Sequence, residues 1–149
     1  MDDKAAINWA VYAADVNLLA LRIRTTIDPT KINAIIAISR GGLVPAAMLA
    51  HKLKVREIDT LDIRSYDDTH EQQNLVVHRT CDVDYLIRRG KGLIVVDDLI
   101  DSGNTIREAK QLLPEAHIAV VYVKPKGEEL ADFYARRVPQ KTWIEFPYE

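Results

Sequence analysis

The sequence predicts an α/β fold, a mainly parallel twisted sheet flanked by helices, formed by one domain over residues 1–149. Short apolar runs rich in β-branched residues, typical of strands buried on both faces, alternate with segments of helical periodicity. Parallel strands need helical crossovers, so this alternation favours a parallel sheet covered by helices. The length of 149 residues, with 48% hydrophobic and 28% charged residues, suits one globular core.

The first half of the chain predicts two helices and two strands. Apolar residues between positions 7 and 27 recur every three or four residues, which predicts an amphipathic helix with Asn8 as its N-cap. Residues 32–38 form a short apolar run that predicts a buried strand. A second helix is expected over residues 43–53, and a second strand over residues 55–63.

The second half predicts three short strands, one helix and a small strand or cap at the sheet's edge. The three strands are expected at 75–79, 93–96 and 118–123, the helix at 105–113 and the small strand at 142–146. The polar stretch 65–74 has no periodicity, which predicts a long solvent-facing loop. Such loops often carry function.

Charge and cysteine content exclude several classes of protein. Twenty Lys and Arg against 22 Asp and Glu give a net charge of −2, which provides no broad cationic field for nucleic acid. Cys81 is the single cysteine and cannot close an intrachain disulfide, so we expect a packing role and a reducing compartment. No apolar run approaches the ~18 residues of a membrane span, and the start does not resemble a signal peptide. We therefore expect a cytoplasmic protein with no integral membrane segment.

The segment after the third buried strand carries the chemistry. Residues 93–96 lead directly into Asp97 and Asp98, and a turn and a helix follow. Ligands of open α/β sheets bind at the carboxyl ends of strands. Carboxylates there can accept from sugar hydroxyls or hold a divalent cation.

The start of the following helix predicts an anion site. Its first residues present unpaired backbone N–H groups, which favour a phosphate. These residues are Ser102, Gly103, Asn104 and Thr105. An alternative is that the acids only cap the helix, with Asp101 or Ser102 as its N-cap.

Residues 95–105 resemble the phosphoribosyl-pyrophosphate signature of type I phosphoribosyltransferases. Segments 39–45, 124–125 and 143–145, together with 65–67, resemble the bacterial xanthine-guanine branch of that family, in order and at similar spacing. The resemblance spans most of the chain. It implies the type I phosphoribosyltransferase fold, with a mobile loop and a small C-terminal hood.

The resemblance also implies an activity. A phosphoribosyltransferase of this kind is a pentosyltransferase of purine salvage. It moves the 5-phosphoribosyl group from phosphoribosyl pyrophosphate to N9 of guanine, xanthine or hypoxanthine and releases pyrophosphate. It uses Mg²⁺ and forms a homo-oligomer, a tetramer or a dimer. Which 6-oxopurine is preferred stays open.

For the sugar and its phosphates, the resemblance implies specific roles. Asp97 and Asp98 would contact the ribose hydroxyls, with Asp98 on the side of Mg²⁺. Asp101 would take the proton of the purine N7 as general base. Arg40 and Gly41 would hold the pyrophosphate, with a plain left-handed turn and a solvated arginine as the alternative. The 5′-phosphate would bind at Ser102, Gly103, Asn104 and Thr105.

For the purine, the resemblance implies three further residues. Lys124 would donate to the 6-oxo group, Trp143 would stack on the base, and the Ile144 backbone would contact its 2-position. The alternatives are a solvated surface lysine and an ordinary core tryptophan. Ser65 and Tyr66 would begin the mobile loop, which lacks the arginine that some relatives carry.

Three other functions stay open from the sequence. One is a non-catalytic regulator that keeps a phosphoribosyl-pyrophosphate or nucleotide pocket. A second is a receiver-like signalling domain, although its paired acids would be expected early in the chain. The third is transfer to a pyrimidine such as orotate.

Overall fold

A computed structural model describes residues 3–65 and 75–149. The strands are β1 (Asp3–Ala6), β2 (Ala34–Ile38), β3 (Ile58–Ser65), β4 (Leu75–Arg79), β5 (Leu93–Ile100), β6 (His117–Val123), β7 (Phe133–Arg137) and β8 (Thr142–Glu145). The helices are α1 (Trp9–Thr26), α2 (Leu43–Leu53), α3 (Val83–Ile87) and α4 (Asn104–Leu112), with 3₁₀ turns at Pro29–Lys31 and Glu128–Leu130. None of the helices in these ranges combines the length and apolar character that crossing a bilayer requires.

The main sheet has six strands in the order β4-β3-β2-β5-β6-β7. All neighbouring pairs are parallel except β3 and β4, which are antiparallel. The predicted mainly parallel α/β fold is confirmed. The carboxyl ends of β2, β5 and β6 meet at one edge of the sheet, because these strands are adjacent and parallel.

Local sequence signals explain the first helix. The side chain of Asn8 accepts a hydrogen bond from the Val11 N–H at 2.9 Å, so Asn8 is the N-cap as expected. Tyr12, Val16 and Ile23 lie on the buried face of α1 and contribute to one apolar core. A second core lies on the other face of the sheet and contains Cys81, which is buried as expected.

Strand β5 is longer than the sequence predicts. The apolar run predicts an end at residue 96, whereas pairing with β6 continues as far as Ile100 opposite Val123. Asp97 and Asp98 therefore lie within the strand rather than directly after its end. The parallel ladder holds the two acids in extended backbone, which fixes where their side chains project.

The sequence missed four elements or pairings. Strands β1 and β7 and helix α3 had no predicted counterpart. The small strand expected at 142–146 exists as β8, but it pairs in parallel with β1 in a separate two-stranded sheet instead of joining the edge of the main sheet. We refer to this two-stranded sheet of β1 and β8 as the hood.

Candidate active site

Two adjoining cavities lie at the carboxyl edge of the sheet. The larger, of about 760 Å³, is lined by the loop after β2, by β5 and by Tyr148. The smaller, of about 260 Å³, lies over the loop between β5 and α4. Asp97 and Thr105 line both cavities. The structure thus brings together the residues that the sequence assigns to sugar and phosphates, which are Arg40, Gly41, Asp97, Asp98, Ser102, Gly103, Asn104 and Thr105.

The loop between β5 and α4 forms a cradle with free backbone donors. Gly103 precedes the helix with φ of 92°, a conformation that glycine adopts without strain. No side chain of the described residues caps this helix, so neither Asp101 nor Ser102 is the N-cap. Arg107 donates to the Ser102 carbonyl at 3.1 Å and places a cation beside the loop. The uncapped amides and this cation together suit a phosphate group.

Asp97 and Asp98 form an adjacent pair of acids in β5. The Asp97 side chain is buried and accepts a hydrogen bond from the Asp98 N–H at 2.9 Å. Burial first, and then the neighbouring Asp98 carboxylate, raises the pKa of Asp97 well above its usual range. Burial also raises the pKa of Asp98. Within residues 3–65 and 75–149 no cationic side chain pairs with either acid.

The donor set of this pair suits a hard cation. The part of the chain that the structure describes has no cluster of three or more His, Cys, Asp or Glu side chains. Mg²⁺ does not require one, because it usually binds one or two carboxylates and completes its shell with water and substrate phosphates. Two adjacent carboxylates that pair with no cationic side chain of the described residues fit this pattern.

Tyr148 is a site residue that the sequence analysis missed. Its hydroxyl donates to Oδ2 of Asp98 at 3.2 Å, and it lines the larger cavity. Burial raises the pKa of Tyr148, so its hydroxyl keeps its proton and stays a donor. Its ring stacks on Phe146 at a centroid distance of 5.3 Å. An aromatic residue in this irregular segment carries no periodic signal that could have identified it.

The loop after β2 packs directly against the acid pair. A Cβ placed on Gly41 would lie 2.5 Å from Oδ2 of Asp98, so a larger residue here would displace the Asp98 carboxylate. The alternative of a left-handed turn is wrong, because the positive-φ glycines of the described residues are Gly90, Gly92 and Gly103. The Ser39–Arg40 peptide bond is cis. Arg40 is exposed and lines the larger cavity, where its guanidinium can reach an anion.

Lys124 and Asp101 lie together at the neighbouring strand ends. Lys124 directly follows β6 and is buried, with Nζ 3.3 Å from Oδ2 of Asp101. The alternative of a solvated surface lysine is therefore wrong. Asp101 itself is largely exposed, and its Oδ1 accepts from the Gln140 side-chain amide at 2.7 Å. Gln140 lies in the loop between β7 and β8, and no motif or periodicity marks it in the sequence.

The hood carries the remaining residues expected at the base. Trp143 is 60% exposed on β8, so the alternative of a core tryptophan is wrong. Ile144 points to the opposite side and is buried in the core, which leaves its backbone for contact with a ligand. Ser65 ends β3, and Tyr66, the next residue of the expected mobile loop, lies outside the described residues.

The family model for the phosphoribosyl transferase domain matches residues 8–149. The chain belongs to the phosphoribosyltransferase family. This membership confirms the resemblance that residues 95–105 carry, and it overturns the receiver-like alternative. Phosphoribosyltransferases are pentosyl-transferring enzymes, and this one places its signature acids at the carboxyl edge of the sheet.

Solved structures agree with the family. A purine phosphoribosyltransferase from Pyrococcus horikoshii is 27% identical, with a TM-score of 0.80, and the match covers 99% of this chain and 95% of that one. A hypothetical protein from Neisseria gonorrhoeae with bound ppGpp is 29% identical, with a TM-score of 0.79, over 100% and 90% of the two chains. A hypoxanthine-guanine phosphoribosyltransferase from Bacillus anthracis is 28% identical, with a TM-score of 0.69, over 86% and 79%. The type I phosphoribosyltransferase fold is thus confirmed for this phosphoribosyltransferase.

Proposed function

We propose that this phosphoribosyltransferase transfers the 5-phosphoribosyl group from phosphoribosyl pyrophosphate to N9 of a 6-oxopurine in purine salvage. The observation that carries the proposal is the pairing of Lys124 Nζ with Asp101 Oδ2 at 3.3 Å. The 6-oxo group and N7 are neighbours on one edge of a purine. An ammonium donor beside a carboxylate acceptor matches that edge when N7 carries a proton.

The same pair disfavours adenine. A 6-amino group would direct its hydrogens at the Lys124 ammonium, so the two donors would face each other with no acceptor between them. Lys124 is buried, so an unmet donor there costs about 1–3 kcal/mol. Guanine, xanthine and hypoxanthine all present the acceptor, and the 2-position that separates them would face the backbone of Ile144.

In the proposed reaction, N9 of the purine bonds to the anomeric carbon while the bond from that carbon to pyrophosphate breaks. Pyrophosphate leaves with the electron pair, and the proton of N7 passes to Asp101, which acts as general base. The amides of residues 102–105 hold the 5′-phosphate, and Arg40 holds the pyrophosphate. Asp97 and Asp98 accept from the ribose hydroxyls and favour the cation-like sugar that forms as the bond breaks.

We place Mg²⁺ at Asp98, with Asp97 beside it, because the two acids are adjacent in β5 and neither pairs with a cationic side chain within residues 3–65 and 75–149. When bound, Mg²⁺ supplies charge neutralisation to the pyrophosphate that leaves. A cation bound here would relieve the repulsion between the Asp97 and Asp98 carboxylates, and this relief would favour the binding of Mg²⁺.

The test is a pyrophosphate-release assay with phosphoribosyl pyrophosphate and Mg²⁺. Guanine, xanthine and hypoxanthine are compared with adenine and orotate at equal concentrations. We expect turnover with at least one 6-oxopurine and little with the other two bases. Faster turnover with orotate would favour transfer to a pyrimidine instead.

A second candidate is a regulator that binds nucleotides without turnover. The neighbour from Neisseria gonorrhoeae holds ppGpp, a phosphorylated guanine nucleotide, and so favours a nucleotide pocket on this fold. Tight binding of phosphoribosyl pyrophosphate with no pyrophosphate release from any base would support this candidate. The pairing of Asp101 with Lys124 favours the enzyme.

We also propose that the chain acts in the cytoplasm as a homo-oligomer. Val83 and Ile87 of α3 are 62% and 72% exposed, and such apolar side chains are common at subunit interfaces. Light scattering coupled to size exclusion would give the mass in solution. A mass of one chain at the concentration of the assay would contradict the oligomer.

A further inference from the structure

Asp101 has little support from its own segment of the chain. It follows the last residue of β5 in a bend before α4, and its side chain is 58% exposed. Packing therefore does not select its rotamer. A general base must lie within hydrogen-bond reach of the proton it takes, so something else has to hold the carboxylate in place.

Among the described residues, two side chains contact the Asp101 carboxylate, one on each oxygen. Lys124 Nζ lies 3.3 Å from Oδ2, and Gln140 Nε2 donates to Oδ1 at 2.7 Å. In the proposed reaction Lys124 also donates to the 6-oxo group of the base, so its ammonium is shared between the ligand and Asp101. In the proposed reaction Gln140 makes no contact with the purine. Its contact with Oδ1 can persist while Oδ2 faces N7.

Gln140 is itself fixed at its other end. Its Oε1 accepts from the Lys126 N–H at 3.0 Å, which also assigns the orientation of the amide. Lys126 lies in the turn that closes with the Gly127 N–H on the Lys124 carbonyl at 3.1 Å. That turn packs against Asp101, because a Cβ on Gly127 would lie 3.0 Å from the Asp101 carbonyl oxygen. The amide thus ties the carboxylate to the backbone beside it.

A carboxamide of this length is the side chain that this bridge requires. It offers a donor to Asp101 and an acceptor to Lys126 from one rigid planar group. Glutamate keeps the acceptor but turns an oxygen toward Asp101, and methionine keeps the length but loses both groups. Gln140 lies in the loop before β8, and β8 carries Trp143. The Gln140 side chain therefore also joins this loop to Asp101, the proposed general base.

We infer that Gln140 is a positioning residue that holds the Asp101 carboxylate in the orientation for proton transfer from the purine N7. This inference rests on the proposed function. It assigns Gln140 an effect on the chemical step rather than on the binding of phosphoribosyl pyrophosphate, whose cradle lies at residues 102–105.

Steady-state kinetics of Q140E and Q140M test the inference in the full chain. We expect kcat to fall roughly 10–100-fold, the effect of misplacing a reacting group by about 1 Å. The KM for phosphoribosyl pyrophosphate should stay within about twofold, because that contact is not removed. Gln111→Glu is the matched control: it makes the same charge change at an exposed position of α4, and it should keep the parental kcat.

A second measurement reports the contact without turnover. In nitrogen-edited NMR spectra, the Gln140 side-chain amide is identified by its absence in Q140E, and we expect it to shift when Asp101 becomes alanine. A merely structural role would lower the midpoint of unfolding and leave kcat per folded molecule unchanged. Parental kcat in Q140E and Q140M, or an amide resonance insensitive to D101A, would overturn the inference. Absence of turnover by the parent with every 6-oxopurine would overturn the proposed function and with it the catalytic effect of Gln140. If the Gln140 amide still shifts in D101A under that outcome, the contact between Gln140 and Asp101 is present and the proposed reaction alone is wrong.

Discussion

The three acids of the signature lie within five consecutive residues, yet the buried pair Asp97 and Asp98 differs from Asp101 in burial and in contacts. Asp97 is buried in β5, and its pKa is raised by burial and by Asp98. Asp101 is largely exposed and contacts an ammonium and an amide. The end of the β5–β6 ladder at Ile100 separates the two environments. Aspartate therefore has two proposed roles in this segment. The buried pair suits the sugar and a cation, and the exposed Asp101 carboxylate suits proton transfer.

The largest effect should come from removing the exposed acid. In D101A we expect kcat to fall roughly 10²–10⁴-fold, the usual contribution of general acid–base catalysis, with the affinity for phosphoribosyl pyrophosphate nearly unchanged. Initial rates and donor titration measure the two quantities. Glu129→Ala, at an exposed acid of the turn Glu128–Leu130, is the control and should keep parental turnover. Parental turnover in D101A would remove the proposed distinction between the acids.

A substitution that crowds the buried pair should act on binding instead. In G41A the new Cβ would meet the Asp98 carboxylate, so we expect the KM for phosphoribosyl pyrophosphate to rise about tenfold or more, in line with 1–3 kcal/mol of overpacking. G42A provides the contrast, because its Cβ would meet the carbonyl oxygens of Val96 and Ile38. We expect G42A to lower the free energy of unfolding, measured with urea, more than G41A does. The reverse order would contradict the described packing of this loop.

Removing the cation beside the exposed acid should weaken purine binding. In K124M the 6-oxo group would lose its proposed donor, and we expect binding of the purine to weaken by about 1–3 kcal/mol. Binding of guanine or hypoxanthine in the presence of pyrophosphate can be followed by calorimetry. Lys126→Met, at an exposed position two residues later, is the matched control. Equal affinity in K124M and the parent would mean that Lys124 serves Asp101 alone.

The smallest effect should be a gain in stability when the buried charge is removed. The pKa of Asp97 is higher in the folded chain than in the unfolded chain, so ionisation of Asp97 destabilises the fold. This destabilisation is complete above the folded pKa and absent below the unfolded pKa. D97N should therefore raise the midpoint of thermal unfolding, by about 2–4 °C for each kcal/mol gained. The gain should be present at neutral pH and vanish as the pH falls below the unfolded pKa. A gain that is equal at acid and neutral pH would contradict a buried charge.

The sequence predicted the parts of the fold that local patterns determine. The bounds of α2 match the prediction of 43–53, and Asn8 is the N-cap of α1, because capping and periodicity act within a few residues. It placed the end of β5 four residues too early, since the acids interrupt the apolar pattern while the ladder with β6 continues. Strand β1 was missed because its partner is more than 130 residues away along the chain.

The site divides in the same way. The residues proposed for the 5′-phosphate and the ribose lie in one contiguous stretch, residues 97–105, so the sequence could name them from local order and from the resemblance. Gln140 and Tyr148 reach that stretch from distant loops, and neither follows a motif or a period. Their roles depend on distances that only the folded chain defines.

The pairing of β1 with β8 has a practical consequence. Lys4 lies opposite Trp143, and its Nζ is 3.7 Å from a Glu145 carboxylate oxygen. We therefore expect an affinity tag fused ahead of Asp3 to disturb β1 and, through it, strand β8, which carries the Trp143 on which the purine is proposed to stack. Tagged and untagged preparations should differ in apparent purine affinity well before they differ in melting behaviour.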